Sequence, residues 1–203
     1  MHNSLTILDD FYEDPVAVRA AALKADYQEI PGQRFPGRNS VEKFAPAGID
    51  RLASHFFGEP VVGDMHPQST HGKFRITLQG ETSRYMVHAD PSHLRVVGVI
   101  YLTLPEHCQG GTEFYRHKGM DSDRTPLTIE DLKAYGHDDI NSLMEAEGND
   151  PDCWERLMTV PMRFNRFILY RPWTWHSAGP PFGDAPENGR LIQVMGFRSG
   201  QPA

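Results

Sequence analysis

The stretch Arg84-Tyr85-Met86-Val87-His88-Ala89-Asp90 places a histidine and a carboxylate two positions apart. On an extended strand, the side chains of residues i and i+2 point to the same face. The spacing therefore predicts that Tyr85–His88 is a strand, from the end of which His88 and Asp90 reach one metal ion. His93 is an alternative ligand, but it lies beyond a proline that stops the strand, and we prefer His88.

A third ligand is predicted far along the chain, at His176 within Trp175-His176-Ser177. An apolar strand, the turn Gly110-Gly111 and a second strand separate it from the first two ligands. Two neutral imidazoles and one carboxylate leave about three of the six positions around an octahedral metal open, which is the arrangement of non-haem Fe(II) oxygenases. The sequence thus predicts an iron centre of His88, Asp90 and His176.

The composition indicates one ordinary globular domain. With 203 residues, the chain can bury one hydrophobic core, and we predict a single domain over residues 1–203. Its net charge of −7 argues against a nucleic-acid partner, because nucleic-acid-binding proteins are usually basic. No apolar run approaches the ~20 residues of a membrane span, and the first residues lack the regions of a signal peptide. The two cysteines form no CxxC motif, which favours a reducing cytoplasm.

Hydrophobic periodicity predicts a mainly β fold with flanking helices, of the α+β class. The predicted strands are Leu5–Leu8, Lys73–Leu78, Tyr85–His88, Arg95–Leu104, Thr112–Tyr115, Met162–Tyr170 and Arg190–Phe197. Asp14-Pro15 has the residues of a helix start, and apolar spacing extends this helix over Pro15–Tyr27. A loop is predicted over Gln28–Ser40 and a second helix over Ala47–Phe57.

Residues 118–159 differ in character from the strands on either side. Their pattern predicts two or three short helices, with breaks at Gly136 and at Gly148-Asn149-Asp150-Pro151. This insertion could form a lid over the mouth of a barrel, cover an outer face or take part in a homodimer contact. The predicted divisions are helical support in 1–72, a β core in 73–117 and 160–198, and the helical insertion in 118–159.

Arg190 opens the last predicted strand and shares one face with Ile192 and Val194. A guanidinium on an apolar face is costly unless it is paired, and a bidentate carboxylate is its best geometric partner. That carboxylate belongs either to a ligand or to an Asp or Glu of the protein. Arg38 and Trp175 are further candidates for substrate contacts. The simpler alternatives are that Arg38 is solvated and that Trp175 packs around the metal site.

The order His88-x-Asp90, Gly110-Gly111-Thr112-Glu113-Phe114, His176 and Arg190 resembles the Fe(II)/2-oxoglutarate-dependent oxygenases. The resemblance is closest to the prolyl-hydroxylase-like branch and to a group of uncharacterised bacterial proteins within it. It covers Phe74–Phe197 apart from the insertion. It implies a double-stranded β-helix, a cupin-like jelly-roll barrel, with the metal inside its open end. By the same resemblance, the two histidines and Asp90 hold Fe(II), and Arg190 holds the distal carboxylate of 2-oxoglutarate.

The resemblance also implies a reaction. 2-Oxoglutarate and O2 would be consumed to give succinate and CO2 while a C–H bond of a small-molecule or amino-acid-type substrate is oxidised, most simply by hydroxylation. The spacing of fourteen positions between the second histidine and the arginine is longer than usual, and Ile192 stands where some branches have serine. A tyrosine that helps to hold 2-oxoglutarate in some relatives has no counterpart, since Leu78 and Ile100 occupy those positions. Tyr85 could take its place.

Two other classes stay open. A cupin-like metal enzyme that does not use 2-oxoglutarate would share the barrel and the metal, although such enzymes usually begin with His-x-His rather than a motif ending in Asp90. A non-catalytic jelly-roll binding module would keep the barrel, with the metal absent or structural. If Arg190 does not hold the co-substrate, then Arg75, Arg84 or Arg198 is the next candidate.

Overall fold

The structure, a computed structural model, describes residues 3–28 and 35–202. This part of the chain contains eleven strands and four α-helices. The strands are β1 (Leu5–Leu8), β2 (Tyr27–Gln28), β3 (Arg38–Ser40), β4 (Val61–Gly63), β5 (Lys73–Thr77), β6 (Leu94–Tyr101), β7 (Gly111–His117), β8 (Trp154–Pro161), β9 (Phe167–Tyr170), β10 (His176–Ser177) and β11 (Arg190–Ser199). The helices are α1 (Pro15–Lys24), α2 (Ile49–Phe57), α3 (Ile129–Ala134) and α4 (Ile140–Glu147).

The strands form two antiparallel sheets. The larger sheet has the order β1-β9-β6-β11-β5-β3-β2, with β4 also paired to β11, and the smaller sheet has the order β10-β7-β8. The prediction of a mainly β protein with flanking helices is confirmed. Among the described residues, no helix is both long enough and apolar enough to cross a membrane.

Alternation along the strands separates two apolar layers. On β11, Leu191 and Met195 face α1 and α2, whereas Ile192 faces the smaller sheet. On β6, Ile100 faces the helices and Tyr101 faces the smaller sheet. Each fully buried side chain of this size contributes roughly 1.5–3 kcal/mol relative to an exposed one. The space between the two sheets therefore receives every second residue of β5, β6, β9 and β11.

The N-terminal helices begin largely as predicted. The Asp14 carboxylate accepts a hydrogen bond from Ala17 N at 2.9 Å, and Pro15 occupies the first helical turn. Helix α1 ends before Tyr27, because Tyr27–Gln28 pairs with β3. Within the predicted loop Gln28–Ser40, Gln28 belongs to β2 and Arg38–Ser40 forms β3, while residues 29–34 lie outside the described residues.

Three predictions of secondary structure are wrong. Trp154–Pro161 is a strand that pairs with β7 along its length, so the helical insertion consists of α3 and α4 alone and the β core begins earlier than residue 160. Tyr85–His88 is not a strand, and its one ladder contact is an isolated bridge from His88 to His176. The strand predicted from Met162 begins only at Phe167, after a turn in which Asn165 has φ 63°.

Candidate metal centre

His88, Asp90 and His176 converge at one point of the structure. One ligand atom from each residue lies within 4.8 Å of the ligand atoms of the other two. His176 Nε2 is 3.3 Å from Asp90 Oδ2, and the two imidazole centroids are 4.4 Å apart. The cluster offers two nitrogen ligands and one oxygen ligand, the donor types of the two-histidine, one-carboxylate iron site.

Backbone hydrogen bonds bring these residues together. His88 N donates to His176 O at 2.9 Å, and His176 N donates to His88 O at 2.9 Å. Asp90 N donates to Pro172 O at 2.8 Å. His176 itself belongs to β10 and pairs with Phe114 of β7. The loop that carries the first two ligands is therefore fastened to the smaller sheet beside the third ligand.

Both histidines present the correct nitrogen for a metal. His88 Nδ1 lies 3.2 Å from Met86 O, and His176 Nδ1 lies 2.9 Å from Thr174 O. A carbonyl oxygen only accepts, so each Nδ1 carries the proton and each Nε2 has a free lone pair. Burial, together with the neighbouring His176, lowers the pKa of His88 to about 4, so the ring is neutral at pH 7. This donor set fits Fe(II).

A cavity of about 2060 Å³ contains the three residues in its lining. Ligand pockets in proteins usually measure about 300–1,000 Å³, so this one has room for more than one small molecule. Arg75, Tyr170 and Arg190 line the same cavity.

Arg190 is 3% exposed and has no acidic partner among the described residues. It pairs with Thr77 of β5 in the sheet, on the face directed between the sheets, and its Nε has no hydrogen-bond partner. Burial lowers the pKa of Arg190, but a guanidinium keeps its charge at neutral pH. The sequence left two possible partners for Arg190, a ligand carboxylate and a protein Asp or Glu. A salt bridge to a protein carboxylate is not seen in the described ranges. An anionic ligand would supply the missing partner.

Two tyrosines beside Arg190 were missed by the sequence reasoning. The Tyr101 hydroxyl accepts from Thr112 N at 3.0 Å and lies 2.7 Å from Thr112 Oγ1. The Tyr170 ring packs against His176, with centroids 4.8 Å apart, and its hydroxyl bonds to no described residue. Both tyrosines lie within electrostatic range of Arg190. Strand alternation could have identified them, because Tyr101 follows Val99 by two positions and Tyr170 follows Ile168 by two, which puts both tyrosines on the inner face.

The other predicted contacts lie at different distances from the centre. Tyr85 lines the cavity, with its ring 6.4 Å from that of His88, but it packs mainly against the insertion. Trp175 is fully buried against Trp154, and Arg38 lies 4.0 Å from Glu81; neither lines the cavity, and their assignment to substrate stays a prediction. His93, the alternative ligand, pairs instead with Asp64 at 3.3 Å.

The end of the insertion holds the loop that carries His88 and Asp90. Asn149 Oδ1 accepts from Met86 N at 2.8 Å, and Asn149 Nδ2 donates to Arg84 O at 2.8 Å. Val87 N donates to Gly148 O at 2.9 Å. These contacts replace the strand pairing that the sequence predicted for this loop.

Solved structures with this fold include HygX from Streptomyces hygroscopicus, determined with nickel and 2-oxoglutarate bound. Its TM-score is 0.56 at 14% identity, over 98% of this chain and 84% of that chain. A prolyl-4-hydroxylase from Pseudomonas putida has a TM-score of 0.52 at 14% identity, over 98% of this chain and 94% of its own. The non-haem α-ketoglutarate-dependent epimerase SnoN, from nogalamycin biosynthesis, has a TM-score of 0.53 at 14% identity, over 99% and 80%.

These likenesses define the class of fold. The chain has the fold of the Fe(II)/2-oxoglutarate-dependent oxygenases, as the resemblance in its sequence predicted. The model of the family of unknown function DUF6445 matches residues 1–195, and the chain belongs to this family. No curated protein sequence matches it.

Proposed function

We propose that this protein is an Fe(II)- and 2-oxoglutarate-dependent oxygenase that oxidises a C–H bond of a small-molecule or amino-acid-type substrate, most simply by hydroxylation. One observation carries the proposal: the His88, Asp90 and His176 cluster shares a cavity with the buried guanidinium of Arg190, which has no acidic partner among the described residues. A metal site and an anion site within one cavity match a co-substrate that chelates metal at one end and carries a carboxylate at the other.

The two sheets correspond in this proposal to the double-stranded β-helix of the oxygenase fold. Residues 1–203 form one domain, in which α1 and α2 support the outer face of the larger sheet. Helices α3 and α4 contribute Leu132, Ile140 and Met144 to the cavity lining, which supports a role of the insertion as a lid. A cytoplasmic location and a homodimer stay predictions.

Each residue of the centre has a defined task. The Nε2 atoms of His88 and His176 and one oxygen of Asp90 would hold Fe(II). The bound metal would supply O2 activation coupled to decarboxylation of 2-oxoglutarate. Arg190 would bind the distal carboxylate through two parallel N–H donors. The Tyr170 hydroxyl, which bonds to no described residue and lines the same cavity, would give this carboxylate a further hydrogen bond, and it replaces Tyr85 as our candidate for that role.

The decisive test is an anaerobic absorption titration of the apoprotein with Fe(II) and then 2-oxoglutarate. We expect a weak metal-to-ligand charge-transfer band only when both are present. Fe(II) binding without the band would favour the cupin-like enzyme, and the absence of metal binding would favour the binding module. Once the charge-transfer band is observed, succinate release over a panel of compounds would identify the substrate.

A further inference from the structure

Arg75 is a second guanidinium in the cavity, and the function proposed above does not use it. On β5 it lies opposite Asn39 of β3 and Ile192 of β11, so it shares the inner face with Arg190. It lines the same cavity as the three candidate metal ligands. The charges of both Asp90 and Arg190 also affect the pKa of Arg75. Arg75 therefore lies in the electrostatic field of the metal site.

The Arg75 side chain is held in one orientation. Its Nε donates to Asn39 Oδ1 at 2.8 Å, and Asn39 is only 2% exposed. Its guanidinium carbon lies 3.5 Å from the centroid of the Phe35 ring. The stack covers one face of the guanidinium, and the amide occupies Nε. The two terminal nitrogens stay available, and they form the edge that binds a carboxylate in a bidentate manner.

No described carboxylate lies within ion-pair distance of Arg75. The acidic side chains of the described lining, apart from Asp90, have other partners. These pairs are Asp64 with His93, Glu81 with Leu78 N, Glu113 with Arg156, and Asp139 with Ser142 N. The other two arginines of the lining are also paired, Arg95 with Glu59 and Arg124 with Asp123. Burial lowers the pKa of Arg75 to about 9, and the charge of Arg190 adds to this effect, but the group stays cationic at pH 7.

The charges of the loaded centre do not balance without a further anion. Fe(II) brings two positive charges and the two arginines bring two more, while Asp90 brings one negative charge. 2-Oxoglutarate brings two negative charges, so one positive charge is left among these groups. A single carboxylate would neutralise it, whereas a phosphate monoester carries about 1.5 to 2 negative charges at pH 7 and would overshoot.

We propose that Arg75 binds a carboxylate of the substrate that is oxidised, so that the enzyme acts on compounds with a free carboxylate group. This inference rests on the proposed function, because it assumes that Arg190 binds the distal carboxylate of 2-oxoglutarate. Asn39 and Phe35 are positioning residues that hold the guanidinium ready. The large cavity accommodates such a substrate beside the co-substrate.

The test uses the full chain loaded with Mn(II) and 2-oxoglutarate, titrated calorimetrically with N-acetylglycine and with the neutral N-acetylglycinamide. We expect the wild type to bind the carboxylate at least tenfold more tightly than the amide. Arg75→Gln should remove this preference while changing 2-oxoglutarate affinity less than threefold. Arg75→Lys, which keeps the charge, should retain part of the preference and controls for folding. Arg190→Gln should show the opposite pattern, with 2-oxoglutarate affinity lost.

Three results would overturn the inference. If Arg75→Gln loses 2-oxoglutarate affinity as Arg190→Gln does, then Arg75 belongs to the co-substrate site. If both substitutions at Arg75 leave the preference intact, the residue is only structural. If the loaded wild type shows no preference for the carboxylate, the cavity has no second carboxylate site. Failure of the proposed function is distinct, because it appears as a lack of Mn(II) and 2-oxoglutarate binding before either probe is added.

Discussion

His88 and His176 are joined by two reciprocal backbone hydrogen bonds of 2.9 Å, while their imidazole centroids lie 4.4 Å apart. The bridge fixes the main chain on both sides of the candidate centre. The contacts from Nδ1 to Met86 O and Thr174 O fix the ring orientations as well. A site whose ligands are oriented by surrounding contacts loses little entropy when the metal binds.

Removal of a proposed ligand should abolish Fe(II) binding while the fold is kept. His88→Ala and Asp90→Ala each delete one half-buried side chain and leave the backbone bridge from His88 to His176 in place. The measurement is Fe(II) or Mn(II) binding by calorimetry, with circular dichroism to confirm folding. His93→Ala is the matched control, since His93 pairs with Asp64 and should be dispensable. Full metal affinity in both ligand variants would refute the site.

Arg190→Gln should weaken 2-oxoglutarate binding roughly 10- to 150-fold, which corresponds to the ~1.5–3 kcal/mol of hydrogen bonds to a charged group. Metal affinity should be nearly unchanged, because Arg190 is not a ligand. The charge-transfer band, titrated with 2-oxoglutarate, gives both values. Arg84→Gln is the control: Arg84 is exposed and paired with Glu145 at 2.6 Å. Equal co-substrate affinity in the two variants would show that another cation anchors the carboxylate.

Two tyrosine variants separate binding from stability. Burial raises the pKa of Tyr170 well above 10, so its hydroxyl keeps the proton it would donate. Tyr170→Phe should therefore weaken 2-oxoglutarate binding about 5- to 10-fold, without loss of stability, since no described protein hydrogen bond is removed. Tyr101→Phe should lower the free energy of unfolding by about 1 kcal/mol, because Thr112 N loses its acceptor. Unchanged co-substrate affinity in Tyr170→Phe would contradict its proposed role.

Asn149→Ala should weaken metal binding although Asn149 lies outside the centre. Its amide makes two hydrogen bonds of 2.8 Å to the backbone of Arg84 and Met86, and the loop they hold carries His88. We expect roughly a tenfold loss of Mn(II) affinity, since loss of supporting contacts typically costs 10–100-fold. Glu145→Gln, in helix α4 just before Asn149 and paired with exposed Arg84, serves as the control. Wild-type affinity in Asn149→Ala would show that the bridge to His176 suffices.

The candidate ligands could be chosen from residue types and spacing, but the reason for their convergence could not. The i, i+2 argument assumed a strand, and the loop at His88 has none. Its alignment comes from His176 and Asn149, both distant in sequence. Sequence periodicity reports only the chain's own repeat, and it carries no information on which remote backbone completes the hydrogen bonds of a loop.

The strand β8 shows a different limit. Trp154, Leu157 and Met158 recur at helical spacing, which favours a helix. In the structure Leu157 and Met158 are 50% and 42% exposed, so their spacing reflects no buried face. The conformation is decided by pairing with β7, a tertiary contact that overrides local preference. The location of Arg75, Tyr101 and Tyr170 near Arg190 could likewise not be predicted, because it depends on the register between strands.

Glu147 ties the insertion to β7, and its substitution should destabilise the protein in a pH-dependent manner. Its carboxylate accepts from His117 Nε2 at 2.6 Å and from His137 Nε2 at 2.7 Å. Burial alone would raise the pKa of Glu147, but these hydrogen bonds outweigh it and hold the pKa below its ordinary 4.5. Glu147→Gln places an amide N–H against one of these donors, which should cost about 1–3 kcal/mol of unfolding free energy at pH 7.

A carboxyl group whose pKa is depressed in the folded state contributes stability above its unfolded pKa, and this contribution is lost as the pH falls through its folded pKa. The difference between wild type and variant in urea unfolding should therefore be largest near neutral pH and shrink below about pH 4.5. A difference that stays constant from pH 7 to pH 4 would show that the carboxylate charge does not hold the insertion in place.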